Sequence, residues 1–61
     1  MKAIKLTFVV KNEQQEEIIN MNLIARVLVI NNTPYIGMAG QSFTRQISVA
    51  SYNRLVEELK K

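Results

Sequence analysis

The chain has 61 residues, a net charge of +3, and no cysteine, histidine or aspartate. One domain spanning residues 1–61 is all that this length allows, with a core at the lower limit of self-sufficiency. The missing residue types exclude disulfides, the usual zinc, iron and copper sites, and the histidine- or cysteine-based machinery of most catalysis. The acidic residues are Glu13, Glu16, Glu17, Glu57 and Glu58, in two clusters of turn or helix-end character. A non-enzymatic chain with no cofactor, no metal and no small-molecule substrate is therefore expected. The cations Lys2, Lys5, Lys11, Arg26, Arg45, Arg54, Lys60 and Lys61 are spread along the chain. They form no dense basic stripe, so phosphate contact is permitted but not demanded.

Lys5 and Thr7 interrupt the N-terminal apolar run, which does not read as a signal segment. The most apolar stretch, Leu23 to Ile30, contains Arg26 and is far too short to span a bilayer. Cytoplasm is the expected compartment, with no membrane partner.

In chain order, residues 2–11 alternate with period two. Ile4, Leu6, Phe8 and Val10 point one way and Lys5, Thr7, Val9 and Lys11 the other, the pattern of a half-buried strand. Asn12 to Gln15 is a polar break. Glu16 to Ile30 reads as a helix through its Asn12/Gln15 capping pattern and early glutamates. The β-branched residues Ile18, Ile19, Ile24, Val27, Val29 and Ile30 tip it to a long strand, bent or bulged near Asn22. Asn31 to Pro34 is a turn. Tyr35–Ala39 and Phe43–Ile47 are two further short strands, with Gly37 and Gly40 allowing a bend between them.

Val49, Tyr52, Leu55, Val56 and Leu59 fall at helical spacing, with Ser48 or Ser51 as the cap. Glu57 precedes Lys61 by four residues, and both terminal lysines suit the negative end of the helix dipole. The expected architecture is α+β: a four-stranded, mostly antiparallel meander with one C-terminal helix packed on it. The alternative is a small SH3-like or OB-like barrel with a C-terminal helix, in which the sheet buries both its faces.

Two short motifs take their plainer meaning. Gly37-Met38-Ala39-Gly40 is similar to the GxxG loop with which KH domains clamp a nucleic-acid backbone. It lies between strands and carries Met and Ala where that loop has basic residues, so it reads as a bend. Asn31-Asn32-Thr33 fits the glycosylation pattern but reads as a turn.

Two candidate surfaces remain. If the first two strands pair, Lys5, Thr7, Lys11, Asn20, Asn22 and Arg26 share the face opposite the core. Such side chains contact phosphates and base edges, although the aromatic residues of single-strand binders are missing there. The second surface is the apolar surplus of Leu23–Ile30. One helix covers one sheet face, which leaves Ile24, Leu28 and Ile30 uncovered. Burying each is worth about 1.5–3 kcal/mol, large beside so small a core, and a symmetric homodimer is the simplest way to do it. The expected function is a small dimeric binding protein that regulates or inhibits a larger macromolecule through protein contacts. Nucleic acid is the alternative partner, and a structural subunit of a larger assembly the third reading.

Overall fold

The computed structural model describes residues 2–61. Its strands are β1 (Ala3–Val10), β2 (Glu13–Asn20), β3 (Ile24–Ile30), β4 (Thr33–Met38) and β5 (Thr44–Gln46), followed by helix α1 (Val49–Leu59). The architecture is α+β, with no closed barrel.

The single four-stranded sheet is corrected to two antiparallel sheets, β1-β2 and β3-β4-β5. The long strand over Glu16–Ile30 breaks where a bend was expected. A single 3₁₀ turn, Met21–Leu23, ends β2, with Asn20 as its cap accepting from the Asn22 N–H at 3.0 Å. Asparagine competes with the ladder for backbone donors, and here that competition turns the chain from one sheet to the other. Across the corner, Met21 N–H reaches Lys2 C=O at 2.9 Å and Ala39 N–H reaches Leu23 C=O at 2.7 Å. On the opposite side the sheets meet through one bridge, Phe8 to Ile47.

Both hairpins close with two-residue loops. Lys11 and Asn12 have φ of 51° and 66°, and Asn31 and Asn32 have 52° and 63°. Positive φ at both loop positions is the type I′ signature, whose twist matches the flanking strands. The polar break at Asn12–Gln15 thus shrinks to Lys11-Asn12. Gln14 and Gln15 belong to β2, and Lys11 leaves the strand for the turn. In the second hairpin only the two asparagines turn, and Pro34 lies within β4. Its ring nitrogen, having no proton, faces β5, where Ile47 N–H donates to Pro34 C=O at 3.1 Å.

The core lies between the sheets and beneath the helix. Ile4, Leu6 and Phe8 of β1, Ile19 of β2, Ile36 of β4, Ile47 and Leu55 are buried. Met21, Ile24, Val27, Met38 and Tyr52 pack around them. The helix stripe is narrower than its spacing suggests, because Val49 and Leu59 are exposed and only Leu55 is fully buried. Ser48 is the cap, accepting from Ser51 N–H at 3.1 Å. Glu58, rather than Glu57, carries the ion pair to Lys61, at 3.5 Å. No helix among the described residues is long and apolar enough to cross a membrane.

Leu55→Ala should cost about 2–5 kcal/mol in urea denaturation, since it opens a cavity under the helix. Leu59→Ala, at an exposed site, should stay within about 0.5 kcal/mol of the parent. Parity of the two variants would mean that α1 docks by another face. Lys11→Asn should act in the opposite direction, because asparagine tolerates positive φ better than lysine. A gain of up to about 1 kcal/mol in the same assay is expected.

Candidate functional site

Backbone hydrogen bonding decides which strand edges are free. In an antiparallel pair, the residues flanking a two-residue loop exchange hydrogen bonds, and the pattern then alternates. Val10 pairs with Glu13, so Phe8, Leu6 and Ile4 face β2 with their backbone groups while Val9, Thr7 and Lys5 face away. That outward edge of β1 is sealed by the helix. Thr7 N–H donates to Ser51 Oγ at 2.7 Å, Thr7 C=O accepts from Ser48 N–H at 2.9 Å, and Lys5 C=O accepts from Arg54 at 2.7 Å. Ser51 is buried for this reason, and its hydroxyl also accepts from Ser48 Oγ at 3.0 Å.

The outer edge of β2 is unpaired but carries Glu13, Glu16 and Glu17 along its length. Charges of this kind discourage another strand from adding. The outer edge of β3 is different. Ile30 pairs with Thr33 across the second loop and Leu28 with Tyr35, which leaves the N–H and C=O groups of Val27 and Val29 pointing outward. The strand reads Ile-Ala-Arg-Val-Leu-Val-Ile, with Arg26 as its single charge. Val29 is 50% exposed, Ile30 49%, and Leu23, just before the strand, 49%.

Of the expected uncovered residues, Leu28 and Ile30 do stand on the outer face of the three-stranded sheet, and Ile24 does not. A register shift between Ile24 and Arg26 inserts one residue, so Ile24 turns inward against the core. A one-residue slip moves a side chain to the other face. Arg26 lies across Gly37 on the outer face, where a Cβ on Gly37 would sit 2.9 Å from its Nε.

The six polar candidates are not on one face. Lys5, Thr7 and Asn20 share the outer face of the β1-β2 hairpin with Glu16 and Ile18. The Glu16 carboxylate lies 3.3 Å from Lys5 Nζ. Ile18 is 74% exposed in their midst. Lys11 is in the turn, Asn22 in the 3₁₀ segment and Arg26 on the other sheet. Helix docking instead gathers cations that sequence spacing does not connect. Lys2 and Lys61 flank Glu58 at 3.2 and 3.5 Å, and Arg54 reaches the backbone of Lys5. The two lysines, Lys2 foremost, hold the Glu58 carboxyl below its ordinary range.

A second cluster absent from the sequence reading ties the sheets together. Arg45 of β5 makes a two-pronged pair with Glu17 of β2, at 2.6 and 3.3 Å. Its guanidinium carbon also lies 3.8 Å from the ring centre of the buried Phe8. The Arg45 hydrogen bond, aided by its charge, lowers the Glu17 carboxyl below the usual range. A planar guanidinium suits both contacts at once. The described residues enclose no pocket and bring no three potential metal ligands together. Comparison with family models, with curated proteins and with solved structures finds no match for the chain.

Because Glu17 is held below the ordinary value of 4.5, its pairing with Arg45 stabilises the fold above that pH. The contribution is lost as pH falls through the lowered folded-state value. Glu17→Gln should therefore be less stable than the parent at pH 7, with a shallower acid limb and convergence of the two curves at low pH. Parallel curves of urea midpoint against pH would show that the pair contributes nothing.

Proposed function

We propose that the chain is a small non-enzymatic binding protein that works as a homodimer and regulates or inhibits a larger macromolecule through protein–protein contacts. The observation that supports this most directly is the unguarded edge of β3, with its unpaired backbone groups and the exposed Leu23, Val29 and Ile30 beside it. Monomeric proteins shorten, charge or cover such edges, and an exposed apolar one marks a place where another chain adds. The other edges of this fold are managed, β1 by the helix, β2 by carboxylates and β5 by its length of only three residues, so the long apolar edge is left at β3. The cytoplasm is the compartment this reading assumes. The nucleic-acid alternative retains Lys5, Thr7 and Asn20, with Glu16 among them.

Sedimentation equilibrium at micromolar concentration should give about twice the 7.0 kDa chain mass, a two-fold dimer being the commonest assembly. Leu28→Glu should shift the sedimenting species toward the single-chain mass, because it puts a charge on the apolar outer face of β3. Affinity capture from lysate of the source cells, with and without nuclease, then separates the partners. Protein retained by the parent through nuclease treatment, and lost with Leu28→Glu, fits the proposal. A stable monomer that retains only nuclease-sensitive material would replace it with the nucleic-acid reading.

A further inference from the structure

We propose that two copies join β3 to β3 in antiparallel pairing about a two-fold axis through Leu28, forming one continuous six-stranded sheet. This deepens the homodimer reading above and rests on it. The register follows from where β3 is regular. The shift between Ile24 and Arg26 ends regular pairing on one side, and the Asn31-Asn32 loop ends it on the other. The segment between is Arg26 to Ile30, and its middle residue is Leu28. The two-fold that pairs this whole segment with itself must pass there.

In that register the outward N–H and C=O groups of Val27 meet those of the second copy's Val29, and the reverse, so all of them are satisfied. Leu28 lies opposite its own copy in a non-hydrogen-bonded pair, the arrangement in which side chains approach most closely. The one charge of the strand, Arg26, falls opposite Ile30 of the second copy. The two arginines lie at opposite ends of the segment, about 13 Å apart along the strand at roughly 3.3 Å per residue. No like charges face each other.

Area also favours a second copy. The chain exposes 4369 Å². A compact monomer of its 7.0 kDa mass would expose only ~4,000 Å². An added strand at β3 removes surface where Val29 and Ile30 contribute it. A five-residue pairing falls short of the roughly 800 Å² per partner of a standard interface. The dimer is therefore expected to be reversible.

The chain has no cysteine, so a single introduced thiol reports on its own copy alone. Leu28→Cys in a glutathione redox buffer should yield a covalent dimer on non-reducing gels. Its Cα atoms would be about 4.5 Å apart, within the range a disulfide spans. Gln46→Cys, on the same face but two strands away, should cross-link far more slowly. Val29→Pro removes an N–H that faces outward and donates no bond to β4. It should weaken self-association about tenfold or more, two backbone bonds being lost per dimer, with the circular dichroism spectrum kept. If the parent dimerises but Leu28→Cys reacts no faster than Gln46→Cys, the copies meet elsewhere, and this pairing falls while the homodimer stands. An undiminished dimer of Val29→Pro likewise overturns strand pairing. A parent that stays monomeric removes both proposals and leaves the β3 edge to a strand from a different protein.

Discussion

Every strand of a small sheet has two edges, and each unpaired backbone group buried there without a partner is costly. That constraint organises this molecule. The two halves of the β-structure share one bridge, Phe8 to Ile47, so β1 would be nearly bare along its outer side. The N-terminus of α1 supplies what the sheet lacks. Ser48 N–H, Ser51 Oγ and Arg54 between them satisfy both backbone groups of Thr7 and the carbonyl of Lys5. The helix is thus both a lid on the core and the neighbour that a further strand would have been. Ser51 is buried among apolar side chains because its hydroxyl is an acceptor for the β1 backbone.

The inner face follows a similar logic with side chains. Two sheets held at one edge by a single bridge and at the other by a 3₁₀ turn need contacts across the gap. Phe8, Leu6, Ile36, Ile47 and Leu55 provide the apolar part. Up to Glu17 the inward positions of β2 are polar, and Glu17 stands at the rim of the apolar core. Arg45 binds Glu17 there with two nitrogens while resting on the Phe8 ring. Partial exposure of both side chains keeps the desolvation cost small, so the cluster works chiefly by fixing how the sheets are oriented.

Much of this was legible in the sequence. The alternation Ile4-Leu6-Phe8 names the buried face of β1, and the spacing around Leu55 places α1. The β-branched content of residues 16–30 favours strand, and Asn22 marks the bend. What was not legible depends on single-residue events. Lys11 enters a turn because a two-residue loop needs positive φ at both positions, a demand that composition does not display at lysine. One inserted residue after Ile24 reverses its face relative to Leu28 and Ile30, and period-two reading carries no sign of it. Charge pairs between distant elements, Arg45 with Glu17 and Lys2 with Glu58, follow from sheet and helix docking and have no local signature. The dispersal of Lys11, Asn22 and Arg26 away from Lys5, Thr7 and Asn20 has the same origin: one long strand on paper is two strands in two sheets.

The shift in β3 links stability to the proposed binding edge. Turning Ile24 inward adds an apolar side chain to a core that has, among the described residues, seven buried hydrophobic ones. The same shift confines regular pairing to Arg26–Ile30 and leaves Leu28 and Ile30 on the far face, where the helix cannot reach. A chain this short cannot cover both sides of β3 with its own residues, since its one helix is committed to sealing β1. Guarding β3 with carboxylates, as on β2, would keep the chain apart from others. It would also replace side chains of which Val27 packs on the core and Val29 projects from the same face. The apolar sequence that the core needs from β3 is therefore the sequence that leaves its edge uncharged. In so small a domain, the demand for burial inside and the proposed binding edge outside fall on one strand.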